Sequence, residues 1–133
     1  MSLIALDWGQ RFVGYASSDP NGVVITPRGF FERKVGKANT WVLTRNDILS
    51  LEKIIEEWEV EKLLLGLPLR ADGGESPASI NARGLRTMIE EHFNIQVGLV
   101  DERLTSWESK GKDNHAQAAA LILQNYFRVG EMP

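Results

Sequence analysis

The chain contains no cysteine. That absence excludes a disulfide framework, a thiolate zinc site and a cysteine nucleophile, and it fits a reducing, cytoplasmic setting. No run of 18 apolar residues is present either, so nothing reads as membrane-spanning. The first residues, Met1 to Asp7, carry neither a basic stretch nor a long apolar one and read as mature protein. A basic surplus is also missing: 15 Lys and Arg face 18 Asp and Glu, for a net charge of −3. Phosphate binders usually leave a basic footprint, so bulk charge speaks against a nucleic-acid partner. The deficit is local, however. Between Asp47 and Glu61, six acids (Asp47, Glu52, Glu56, Glu57, Glu59, Glu61) accompany one base, Lys53, and the rest of the chain is net positive. What is present is ordinary. The 133 residues, 43% hydrophobic and 25% charged, suit one domain over 1–133 without linker, repeat or low-complexity tract.

The pattern predicts the order β-β-β-α-β-α-β-α. Leu3–Asp7 is an apolar run ending in an acid, and Phe12–Asp19 alternates after a short glycine turn. Asp19-Pro20-Asn21-Gly22 is a dense turn signal, with a third extended segment over Val23–Arg33. A helix capped by Asn46 or Asp47 carries the stripe Ile48, Leu51, Ile54, Ile55 and Trp58, which leaves its acids on the outer face. Lys62–Gly66 reads as a strand buried on both sides. Ser76 caps a helix over Pro77–Phe93, Ile95–Val100 is a last strand, and His115–Phe127 a last helix. The expected fold is α/β: a mixed five-stranded sheet, three antiparallel strands then two parallel ones, flanked by helices.

Two of these strands end in acids, at Asp7 and at Asp101-Glu102. If they are parallel neighbours, their carboxylates converge at one sheet edge, where open α/β sheets place their ligand sites. Carboxylates that repel one another stay ionised when a hard divalent cation joins them. Strand ends also carry acids simply because they emerge into solvent. Gly14 offers a place for a phosphate backbone to approach, and Gly9 a turn. The loop from Gly66 to Ser76, with Arg70, could receive an anion at the following helix N-terminus. Arg11, Arg70, Arg103, Lys110 and Lys112 are the expected phosphate contacts. Trp8 and Trp107 are candidate stacking surfaces for unpaired bases, with core packing as the alternative, while Trp41 and Trp58 read as structural.

The segments LIALDWGQRFVGYASSD, LLLGLPLRADGGES, VGLVDERLTS and AQAAALILQNYF resemble, in order and nearly end to end, the four blocks of the YqgF-type family, also called RuvX. The resemblance implies a ribonuclease-H-like fold and a nuclease acting on Holliday junctions or on pre-16S ribosomal RNA. It implies a two-metal phosphodiesterase site with carboxylates from Asp7, from Glu102 or Asp101, and from a third group at the start of the last helix. There this chain departs from the family: His115 stands at the matching position, with Asp113 two residues earlier, and either is the candidate third ligand. An imidazole ligand favours Mn²⁺ over Mg²⁺, so two divalent ions with Mn²⁺ preferred are expected. Nucleic acid, RNA or branched or single-stranded DNA, is the expected partner, with no membrane, and a homodimer is left open. The alternative is a ribosome-assembly or nucleic-acid-binding factor with weak catalysis on the same fold. A sugar-kinase-like or chaperone-like ATPase shares the Asp-x-Gly hairpin but needs two such domains, which 133 residues do not supply.

Overall fold

A computed structural model of the chain describes residues 2–34, 40–103 and 114–133. In chain order the elements are β1 (Ser2–Trp8), β2 (Phe12–Ser18), β3 (Ile25–Glu32), α1 (Arg45–Glu57), β4 (Val60–Leu67), α2 (Pro77–Phe93), β5 (Gln96–Asp101) and α3 (His115–Val129). They form the expected mixed sheet, in the order β3-β2-β1-β4-β5. β1, β2 and β3 pair antiparallel, and β4 and β5 run parallel to β1. The two strands that end in acids are therefore parallel but not neighbours, because β4 lies between them.

The period-2 alternation of the strands sorts side chains onto two unlike faces. Ile4, Leu6, Leu63, Leu65, Leu67, Val97 and Leu99 pack against Leu51 and Ile54 of α1 and Ala82, Leu85 and Ile89 of α2. Leu3, Ala5, Ala16, Leu64 and Val100 pack against Ala119, Ala120, Ile122 and Leu123 of α3. The second face is built from smaller residues, which lets α3 lie close to the strands.

Several boundaries differ from the sequence expectation for local reasons. β3 begins at Ile25 rather than Val23, because the Asp19 carboxylate accepts from the amides of Asn21 (3.3 Å) and Val24 (2.7 Å) and holds that stretch in the turn. The cap of α1 is Thr44, not Asn46 or Asp47. Thr44 Oγ1 accepts from the Asp47 amide at 3.2 Å and the Asp47 carboxylate accepts from the Thr44 amide at 3.0 Å, a reciprocal capping box. Asp47 is consequently not on the solvent face of its helix with Glu52, Glu56 and Glu57. Its side chain is fully buried against Arg33, whose guanidinium donates to both carboxylate oxygens, at 3.1 and 2.9 Å. The remaining guanidinium hydrogens go to the carbonyls of Gly9 (3.0 Å), Thr40 (2.6 Å) and Val42 (2.8 Å), so this buried charge pair leaves no donor unsatisfied. Beyond α3, the Met132 amide donates to Leu99 O at 2.7 Å and covers part of the open edge of β5.

Candidate active site

Asp7 is the penultimate residue of β1 and follows Leu3 and Ala5 onto the α3 face. Glu102 directly follows β5, and its amide still donates to Leu67 O at 3.3 Å, so the alternation continues one residue past the strand. With Val100 facing α3, Glu102 takes the same side and Asp101 the opposite one. Asn125 of α3 donates to Asp101 O at 2.6 Å and fixes the backbone just before Glu102.

The intervening strand would separate the two acids if it carried a side chain between them. It carries Gly66. A Cβ at that position would overlap the Glu102 carboxylate, which therefore lies across β4 towards Asp7. Burial, then the charges of Asp7 and Asp101, push the Glu102 carboxyl up to about 8. Burial also pushes Asp7 up, an effect that nearby His115 partly offsets. Two buried carboxyls of raised proton affinity at one corner of the sheet are the kind of group that marks a functional site.

Asp101 behaves differently. Burial alone would raise it, but hydrogen bonds from the Arg103 side chain and amide, together with the Arg103 charge, hold it below the usual carboxylate range. Arg103 grips both Asp101 oxygens, at 2.7 to 3.1 Å, and also reaches Ala71 O at 3.3 Å. Asp101 is thus the partner of an arginine on the far face, and Glu102 is the acid that faces Asp7.

His115 opens α3 over Gly14, the cross-strand partner of Asp7. A Cβ on Gly14 would collide with the His115 carbonyl, so the bare strand admits the chain's own helix and not a phosphate backbone. The imidazole is stacked on Phe12 (centroids 4.9 Å apart, planes 34° apart) and lies 5.8 Å from Phe30. Among the described residues, no three His, Asp or Glu side chains group closely enough to hold a metal ion. The other third-ligand candidate, Asp113, lies outside the described residues, as do Lys110, Lys112 and Trp107. The cap of α3 is Asn114.

The remaining expectations divide. Arg11 is exposed and pairs with Glu32 at 3.2 Å, and Arg70 is exposed and pairs with Asp72 at 3.0 Å. The 66–76 loop is not an open anion cradle. The Gly74 amide donates to Asp72, the Gly73 amide to Arg70 O, and Ser76 and Ser79 cap one another at the start of α2. Trp8 is not a stacking surface: it is 7% exposed, its indole N–H donates to Thr40 O at 2.8 Å, and the Arg33 guanidinium covers its ring at 4.8 Å. β1 is the central strand with its odd and even positions both covered, so an aromatic side chain there has no route to solvent.

The sequence matches the family described as "RuvX: Holliday junction resolvase" over residues 1–129. The chain belongs to the RuvX family. It is 31% identical to the "Putative pre-16S rRNA nuclease" of Dictyoglomus thermophilum, with 95% of this chain and 94% of that one covered. It is 36% identical to the protein of the same name from Bordetella pertussis, over 78% and 92% of the two chains. Thermus thermophilus RuvC, solved with a Holliday junction substrate, shares the fold at a TM-score of 0.59 and 13% identity, covering 98% of this chain and 96% of that one. The resemblance seen in the sequence and its mixed sheet are thereby confirmed, and the chain is placed in a nuclease family. Among the described residues, no helix is long and apolar enough to cross a membrane.

Two residues beside the site of this RuvX chain escaped the sequence reading, Phe12 and Phe30. Both lie on the α3 face next to Gly14, and Phe30 is 46% exposed. Phenylalanines in alternating strands read as core, and only the pairing of Gly14 with both Asp7 and Phe30 shows them bordering the carboxylates.

Proposed function

We propose that this RuvX protein hydrolyses phosphodiester bonds in nucleic acid, with two divalent ions held by Asp7 and Glu102 together with a third donor at the start of α3, either His115 or Asp113. The observation that supports it is the meeting of Asp7 and Glu102 across Gly66, where burial and then the charge of Asp7 raise Glu102 to about 8. Carboxylate oxygens in a site short of positive charge are the donor set of Mg²⁺ and Mn²⁺. Bound divalent ions supply Lewis acidity at the phosphoryl oxygens and a water acidic enough to act as nucleophile near neutral pH. Asp7 and Glu102 hold the charge in place, Glu102 giving up its proton as the pair takes up cation. Gly66 keeps the carboxylates within reach of one another, and Asn125 orients the backbone that carries Glu102. Asp101 does not take part, since Arg103 neutralises it on the other face. Arg11, exposed beside the site, is the phosphate contact, with Lys110 and Lys112 as further candidates.

RNA is the favoured substrate, because the curated relatives matched over most of their length are named for pre-16S rRNA, and the cytoplasm is where such a precursor is met. The lack of a three-ligand group among the described residues favours a second reading, a ribosome-assembly factor that binds RNA and turns it over weakly. The test is cleavage of labelled single-stranded RNA, single-stranded DNA and a four-way junction with Mn²⁺ or Mg²⁺. Wild type should cut RNA, better with Mn²⁺ if the imidazole is a ligand, and Asp7→Asn should abolish cutting while leaving the melting temperature within a few degrees. Cleavage that survives Asp7→Asn in a contaminant-free preparation refutes the assignment. Tight RNA binding without cleavage in either metal favours the second reading. Paired cuts in the junction, with a symmetric dimer in sedimentation, would shift the substrate to DNA.

A further inference from the structure

Beside the carboxylates lies an aromatic surface. Phe30, the cross-strand partner of Gly14, and Phe12, two residues before Gly14 on β2, stand on the α3 face with their rings 5.4 Å apart and nearly perpendicular. The His115 imidazole fills the angle between them. The exposed Arg11 guanidinium sits 5.1 Å over Phe12. β3 is an outermost strand of the sheet, so among the described residues no further strand covers this corner, and Phe30 is 46% exposed. Large exposed aromatic rings are costly to leave in water and mark binding surfaces when they cluster. Here the cluster is flanked by a cation, and Phe30 stands two strand spacings, about 10 Å, from Asp7 across Gly14.

We propose that Phe30, backed by Phe12 and His115, is a stacking platform for an unpaired nucleobase next to the scissile phosphate, so that the site selects single-stranded over duplex nucleic acid. The inference rests on the nuclease reading only for the word scissile, since the platform binds with or without turnover. Every base offers a π-face, so the platform is indifferent to sequence, while bases inside a duplex already stack on their neighbours and do not reach it. Arg11 beside the rings suits the backbone phosphate of the same nucleotide. A protein partner or a second copy could also cover aromatic rings. The contiguity with two buried acids and a guanidinium favours a nucleotide.

The experiment reads binding apart from cleavage. Fluorescence anisotropy with Ca²⁺ measures the Kd of a labelled 12-nucleotide single-stranded RNA and of its duplex for the intact protein. Phe30→Ala should raise the single-strand Kd about tenfold and leave the duplex Kd unchanged. Phe30→Trp should retain or tighten single-strand binding, and Phe30→Leu, which keeps apolar area but no ring face, should behave as Phe30→Ala. Ile80→Ser, at an exposed apolar position on α2, is the control and should bind as wild type. The proposal is overturned by wild-type affinity in Phe30→Ala or Phe30→Leu, by equal losses on single strand and duplex, or by no measurable single-strand binding in wild type. A change of sedimentation in Phe30→Ala with unchanged affinity assigns the face to a second copy and overturns it likewise. Cleavage surviving Asp7→Asn would sink the nuclease reading and leave these binding results standing.

Discussion

The two faces of the sheet solve opposite problems. Against α1 and α2 the strands present leucines and isoleucines with no exposed surface, and the one charge pair inside, Arg33 with Asp47, has all its donors satisfied. Against α3 they present a face that includes Ala5, Ala16, Gly14 and Gly66, and burial pushes up the acids at the strand ends, Asp7 and Glu102, with the charge of Asp7 raising Glu102 further. One face is arranged for packing and for closed hydrogen bonding. The other accepts electrostatic strain at the corner where Gly14 and Gly66 let a helix and a carboxylate come close. Charge by itself therefore does not mark function in this molecule. A buried charge pair whose hydrogen bonds all close within the chain is architecture, and buried carboxyls held at raised proton affinity mark a candidate site.

The contrast can be broken at four points. The largest effect is expected from Arg33→Ala, which leaves Asp47 buried and alone and should cost about 3–5 kcal/mol in denaturant unfolding. A loss below about 1 kcal/mol would show that the network is not what holds the hairpin after Asp7 to α1. Next comes Glu102→Gln in metal-free protein. The native carboxyl titrates near 8 and the unfolded one near 4.5, so between those values the folded state keeps a proton that the unfolded chain has released. Wild-type stability should fall as pH rises from about 4.5 to 8, by about 4 kcal/mol, and Glu102→Gln should lack that decline. Parallel pH profiles of the two proteins would contradict the electrostatic picture of the α3 face.

A smaller effect is expected from Gly14→Ala. Its new methyl group meets the backbone of His115, which cannot move without α3, so about 1–3 kcal/mol should be lost and cleavage should fall with it. Unchanged stability would mean that α3 rides more loosely than drawn. The smallest effect is that of Arg11→Ala. Its pair with Glu32 is open to solvent on both sides, so stability should stay within about 0.5 kcal/mol, while RNA affinity falls and becomes less dependent on salt. Loss of stability without loss of affinity would reverse the role assigned to it.

Much of this was legible in the residues. The element order, the capping serine of α2, and Asp7 and Glu102 as candidate acids all follow from local pattern. The errors cluster where partners are distant in sequence. Trp8 beside an acid looks like a stacking surface until the central position of β1 buries it. Asp47 looks like one more surface acid on an acidic helix, and only Arg33, 14 residues earlier, gives it a reason to be inside. Gly14 looks open to a ligand, and α3 closes it from a hundred residues away.

Periodicity and turn chemistry are local properties, and they determined the strands, the helices and the mixed sheet, while the four sequence blocks resembled a nuclease family. The choice between Asp101 and Glu102 was beyond them, because adjacent residues on a strand differ only in which face they take, and that depends on where the helices pack. The strand between the two acids, its glycine, and the phenylalanines that border the site were likewise decided by the tertiary structure. Convergence is a relation among segments far apart in the chain, and only the folded sheet brings it about.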